Sequence, residues 1–276
     1  MTAIKFFPPF LPNDCDCFIF DVDGVLIETG ESFPATIRLC VEHEWTRIGG
    51  VCDAPGYSDE RNTVLKQHGS FNDDYDIAWV LLNLSAARQD VTKKLSRALA
   101  SPSALHEIVA TCKGDCVSWL RAHFAETFPR DDVRALCEDF YFGNDEKSGT
   151  SAMETPLIDV NWKNLPLPAY IYTGRDLREW RAAQRVLDWL DFPDDRVVHR
   201  DSGMLKPSPA GLEYFCDRFG HRAPIFFGDT MSDKKASDAF GKSFFCAIGP
   251  LLAEEPCRFD SVRDAILQLT GRASDE

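Results

Sequence analysis

The chain is short of positive charge. Its 276 residues hold 30 Lys and Arg against 44 Asp and Glu, a formal net charge of −14 at pH 7. Nucleic acids and anionic membranes want a basic face, so neither is expected as a partner. Long apolar runs are missing too, and no stretch approaches the roughly 20 residues needed to span a bilayer. The apolar start, Met1 to Pro12, is broken by Pro8, Pro9 and Pro12. With one lysine and no small-residue cleavage site it makes a poor signal peptide. Ten cysteines are present, but no Cys-x-x-Cys unit, so a zinc site is not expected. Most lie in apolar contexts, such as Cys40 and Cys246, which reads as buried reduced thiols in a cytoplasmic protein. Repeats and low-complexity tracts are also absent. What remains is an ordinary globular composition, 44% apolar and 27% charged, long enough for two domains.

The chain is organised around Phe18-Ile19-Phe20-Asp21-Val22-Asp23-Gly24-Val25-Leu26-Ile27. Its β-favouring run predicts a buried strand over 17–22. Asp21 then falls at the carboxyl end, where open α/β sheets bind ligands. In an extended segment Asp21 and Asp23 can face one site, and Gly24 lets the chain turn away. Two such carboxylates repel unless a cation or a shared proton lies between them. Oxygen-only ligands suggest magnesium. The plain alternative is a strand ending in a polar turn.

Periodicity predicts helices over 31–45, 61–67, 72–88, 91–100, 104–124 and 131–142. Residues 28–156 are thus expected to be nearly all helix. The pattern then alternates: strands over 169–172, 197–198, 224–227 and 244–248, with helices over 177–190, 209–219, 234–240 and 261–269. Alternation implies a parallel sheet. The first strand belongs with this later set. The expected architecture is a Rossmann-like parallel-sheet core, residues 1–27 and 157–276, with an all-helical domain, 28–156, inserted.

Three more polar stations follow apolar runs. Thr173-Gly174 offers a hydroxyl and backbone N–H groups that can cradle a phosphate oxygen, or simply a helix-capping threonine. Lys206, held extended by Pro207, can balance several carboxylates, or lie on the surface as most lysines do. Asp229 can complete an acidic metal site with Asp21 and Asp23, and Asp233 can orient waters or the lysine, or both can belong to an acid-rich helix start.

Taken in order, Asp21-Val22-Asp23-Gly24, Thr173, Lys206-Pro207 and Gly228-Asp229 with Asp233 resemble the haloacid-dehalogenase-like hydrolase superfamily. The run from Lys206 to Leu212 is similar to its subfamily I phosphatases, which carry a helical (C1-type) cap. The resemblance implies that Asp21 is the nucleophile, forming an aspartyl-phosphate, and that Asp23 is the acid and base. It implies Mg²⁺ on Asp21, Asp229 and the backbone carbonyl of Asp23, with Thr173, Gly174 and Lys206 on the phosphoryl oxygens. Family members that break carbon–halogen bonds generally lack an acid at the second position, so Asp23 favours phosphate esters. The insert would be the cap that closes on the site, though it is larger than usual in the subfamily. Asn72 at a helix start is a candidate substrate contact or a plain cap. Arg175 is a candidate contact or a surface arginine. The implied activity is Mg²⁺-dependent hydrolysis of a small phosphorylated metabolite. The alternatives are a phosphomutase of the β-phosphoglucomutase type, or a non-catalytic binding protein on the same fold.

Overall fold

The computed structural model describes residues 15–71, 73–144 and 146–270. Asn72 lies outside the described residues. The chain divides into two compact units, one taking the chain up to Thr29 and from Thr155 onward, the other Gly30–Glu154.

The first unit is built on a six-stranded parallel sheet. In chain order its strands are β1 (Cys17–Phe20), β4 (Ala169–Tyr172), β5 (Val197–Val198), β6 (Pro224–Gly228), β7 (Phe244–Ile248) and β8 (Arg258–Phe259). A separate two-residue ribbon, β2 (Ile27–Glu28) and β3 (Thr155–Pro156), pairs antiparallel. The spatial order of the sheet is β5-β4-β1-β6-β7-β8. All four β1 residues are buried, as a strand covered on both faces requires. Alternation sends Phe18 and Phe20 to one face, with Ile171, Trp180 and Phe227. Cys17 and Ile19 go to the other, with Tyr170, Tyr172 and Phe226. Phe20 and Phe227 stack at 4.9 Å between centroids, fixing β1 against β6. The strand order reverses between β1 and β6. That switch point opens a crevice beyond their carboxyl ends.

The second unit is helical: Ser32–Arg47, Asp59–Lys66, Asp74–Arg88, Leu95–Ala98, Pro102–Val109, Cys116–His123 and Arg130–Phe142. Asp74–Arg88 is buried on nearly every side, the mark of a central helix. Trp45, Trp79, Phe71 and Tyr141 fill the core around it. Asn83 donates its amide to Phe128 O (3.1 Å) and accepts the Phe128 N–H (2.9 Å), which closes a buried loop onto this helix.

The structure corrects several expected boundaries. The helix predicted over 104–124 is two helices. Gly114 at φ +98° interrupts it, and Asp115 caps the second by accepting the Ser118 N–H. Of the helix predicted over 91–100 only Leu95–Ala98 forms, because Asp90 turns the chain by accepting the Thr92 N–H at 2.8 Å. The helix expected over 177–190 stops at Leu187, where Asp188 turns left-handed at φ +54°. The helix expected from 234 starts at Met231, drawn back by a capping box of Thr230 and Asp233. β8 was too short to read from pattern.

Candidate active site

Asp21 and Asp229 each follow one of the two switch-point strands. The Asp21 N–H donates to Phe227 O at 2.9 Å, which carries the β1–β6 ladder one step into the site. Asp233 sits three residues into the helix after β6. Its Oδ2 accepts the Thr230 N–H and hydroxyl at 3.0 and 2.6 Å, satisfying the helix start. Oδ1 is then left pointing at Lys206 Nζ, 2.6 Å away. The same ammonium lies 2.7 Å from Asp21 Oδ1. Lys206 belongs to a turn before the helix Ala210–Phe219, and the Tyr172 hydroxyl holds that turn by donating to Ser208 O at 2.7 Å.

Two glycines make room for the acids. Gly24 has φ +71°, and a Cβ there would stand 2.3 Å from Asp229 Oδ2. A Cβ on Gly228 would stand 2.4 Å from Asp233 Cβ. No other residue fits at either position without moving a carboxylate.

The carboxylates of Asp21, Asp229 and Asp233 have oxygens that all lie within 4.8 Å of one another. Burial pushes the Asp21 carboxyl up to about 7, against the pull of Lys206 and with the push of Asp233. Burial, then Asp21 and Asp233, hold Asp229 well above the usual carboxylate range. Burial works against the Lys206 charge, but Asp21 and Asp233 outweigh it and raise its pKa. Fully ionised, three carboxylates and one ammonium would carry two negative charges, which one divalent cation would cancel. Asp229 Oδ1 is shut off from solvent and has no hydrogen-bond partner. An all-oxygen donor set with such an orphan fits a hard divalent metal ion.

The carboxylate of Asp23 stands apart from this trio. Its Oδ1 accepts from Arg175 Nε at 2.9 Å and Nη2 at 2.7 Å. Arg175 is only 1% exposed, so it is neither a surface arginine nor open to solvent. Thr173 is buried at the end of β4, and its Oγ1 accepts the Arg175 N–H at 3.2 Å. The loop is braced from the next strand. The Arg200 N–H donates to Arg175 O (2.8 Å), and Arg200 Nε to Gly174 O (3.0 Å). None of these bonds takes the Gly174 N–H, and a Cβ there would meet nothing within 4 Å. The buried Glu179 has its carboxyl raised by burial to about 7, with Arg200 pulling it down. Sequence reasoning missed the Asp23–Arg175 pair, Glu179 and Arg200. The signal available was Asp176-x-x-Glu179, a capping box that places Arg175 just ahead of a helix.

A second mixed group, Asp16, Cys17 and His221, lies at the opposite end of β1. Its atoms are already engaged. Asp16 accepts the Arg222 and Ala223 N–H groups, and His221 Nε2 meets the Tyr170 hydroxyl at 2.7 Å. Burial and Asp16 keep Cys17 a thiol. This is a strap between strand starts.

A doubly wound sheet with carboxylates at its switch point and a lysine between them suits a hydrolase that handles a phosphoryl group. The profile of the haloacid dehalogenase-like hydrolases matches residues 15–241. The chain belongs to that family and is an enzyme of its phosphatase type. It is 25% identical over 205 residues to a phosphoglycolate phosphatase of Haemophilus influenzae, covering 68% of this chain and 85% of that one. Among solved structures it resembles phosphatase Tt82 of Thermococcus thioreducens (TM-score 0.66, 22% identity, 93% and 99% of the two chains). It also resembles a Thermotoga maritima protein assigned as a β-phosphoglucomutase (TM-score 0.53, 15% identity, 94% and 100%). These two likenesses are of fold.

Proposed function

We propose that the chain is a Mg²⁺-dependent phosphatase that hydrolyses a small phosphate monoester through an aspartyl-phosphate. The observation that carries this is the meeting of Asp21, Asp229, Asp233 and Lys206 at one strand end, each buried or half-buried. Asp21, Asp229 and the backbone carbonyl of Asp23 would hold the ion, with Asp233 beside them; when bound, the ion shields the phosphate charge from the anionic nucleophile.

The Asp21 carboxylate attacks phosphorus, and the bond from phosphorus to the leaving oxygen breaks. Asp23 gives that oxygen its proton. Asp23 then takes a proton from water as the water oxygen attacks phosphorus, freeing Asp21 and inorganic phosphate. Thr173, the Gly174 N–H and Lys206 hold the phosphoryl oxygens. Lys206 also favours the anionic form of Asp21, because its ammonium is 2.7 Å from Asp21 Oδ1. No single device accounts for phosphate-monoester catalysis, where accelerations reach on the order of 10²¹, so charge neutralisation, nucleophile and acid act together.

Ten free cysteines suit a reducing compartment, and we assign the protein to the cytoplasm on that ground. No helix of the described residues is long and apolar enough to cross a membrane. Phosphoglycolate is the first substrate to try, since a 25%-identical relative is a phosphatase for it. The test is a panel of small phosphate monoesters with Mg²⁺, reading free phosphate. Release from at least one supports the reading. Transfer of phosphate back to a sugar without release would make the chain a mutase, and no turnover across the panel would overturn both.

A further inference from the structure

We infer that Arg175 is a positioning residue for the general acid: it fixes Asp23 by one oxygen and leaves the other to meet the leaving group. The inference rests on the phosphatase reading above and adds to it the device that aims the proton.

The geometry is asymmetric. Arg175 Nε and Nη2 both donate to Oδ1 of Asp23, at 2.9 and 2.7 Å. Oδ2 takes no hydrogen bond from a described residue. A guanidinium gripping both oxygens would leave neither to carry a proton. This one grips a single oxygen and turns the second outward, and the Asp23 side chain is 34% exposed while that of Arg175 is 1% exposed.

Arg175 is itself immobilised. Its Nη1 donates to Glu179 O at 3.3 Å, its N–H donates to Thr173 Oγ1, and its carbonyl accepts the Arg200 N–H. One residue therefore ties the acid to the phosphate-binding threonine. The distance from Thr173 to the acid is set by two residues of one loop, so phosphoryl oxygen and leaving oxygen are referenced to the same backbone. Placement of a reacting group within a fraction of an ångström is worth orders of magnitude in rate. A buried arginine also needs its counter-ion, so the pair holds Asp23 in one rotamer even without substrate. With Nε and Nη2 both on Asp23 Oδ1, Arg175 acts through the acid and not on the substrate itself.

A general acid matters in proportion to how poor the leaving group is. An alkoxide needs the proton, whereas a nitrophenolate leaves without it. The experiment compares kcat and KM of wild type, Arg175→Met, Arg175→Lys and Asp23→Asn on an alkyl phosphate hydrolysed by the wild type and on p-nitrophenyl phosphate. Arg175→Met is expected to lower kcat for the alkyl ester by about 10²-fold or more, the scale of general acid catalysis. Its kcat for the nitrophenyl ester should fall less than about tenfold on the same scale. KM should stay within about threefold for both, because uniform binding is untouched. Arg175→Lys, with one donor in place of the fork, should fall between. If Arg175→Met does not fold, Arg175→Lys carries the same comparison.

Equal losses on both esters in the Arg175 variants would reduce the residue to a structural role and overturn the inference. A rise in KM with kcat unchanged would make it a substrate contact and do the same. Asp23→Asn separates the two levels. If it too shows no dependence on leaving group, the acid assignment of the phosphatase reading has failed. If it shows the dependence and the Arg175 variants do not, only the inference has.

Discussion

At the scale of single residues, two missing side chains shape the site as much as the acids do. The left-handed turn at Gly24 brings the backbone so close to Asp229 that a Cβ would stand 2.3 Å from Oδ2. Gly24→Ala is expected to cost about 1–3 kcal/mol of stability, from a strained φ and a displaced carboxylate. It should also weaken divalent-ion binding by at least about tenfold, on the scale of a lost or misplaced ligand partner. A titration of the melting temperature with Mg²⁺ measures both. Gly174→Ala is the control: with nothing within 4 Å of the added Cβ, its stability should match wild type within about 0.5 kcal/mol. The same denaturation series reads it. Equal losses in both variants would mean that the crowding at Gly24 is not what holds Asp229.

Elements position these residues, and the helix Leu177–Leu187 carries a titration with it. Burial lifts Glu179 from an ordinary 4.5 to about 7 in the folded chain. A raised carboxyl favours the folded state fully below the unfolded value, and that contribution is lost as pH climbs through the folded one. Glu179→Gln removes the titration and keeps an acceptor for the Asp176 N–H, a position where Gln serves as Glu does. Between about pH 5 and about pH 8 the wild type should lose up to about 3 kcal/mol relative to the variant. Denaturant melts at the two pH values test this, and parallel pH profiles would refute it. In the helical unit, Asn83→Ala should cost about 2–4 kcal/mol by stranding the buried Phe128 N–H, read in the same melts.

Elements are also where legibility in the sequence can be judged. Strands β1, β4, β6 and β7 were readable because each is a short apolar run closed by a turn residue. Asp21 and Asp229 were readable because strand-end position implies convergence, Asp233 because it opens the next helix, and Lys206 because Pro207 holds it extended. The fusion of two helices across 104–124 came from trusting apolar spacing over Gly114. Arg175 reads from the sequence as either a substrate contact or a surface arginine, because its neighbours do not say where its side chain goes. Once buried it pairs with Asp23, 152 residues away, and local pattern carries no information about that pairing.

For the whole molecule, charge is the governing quantity. A chain of net charge −14 concentrates more negative charge in the one crevice where an anionic substrate would bind. A divalent ion is the natural offset, and its binding to the folded state alone must stabilise it. At a concentration about 100 times its dissociation constant, Mg²⁺ should add about 2.7 kcal/mol, and a chelator should remove it. A melting temperature indifferent to Mg²⁺ and chelator would leave the acid trio without its ion.

The most direct measurement is the covalent one. Enzyme mixed briefly with substrate and Mg²⁺, quenched in acid and digested, should yield one phosphorylated peptide, with the phosphoryl group on Asp21. Asp21→Asn should give no such peptide and no free phosphate while keeping its fold. Phosphate release that persists in Asp21→Asn, or a phosphoryl group found on a different residue, would contradict the account.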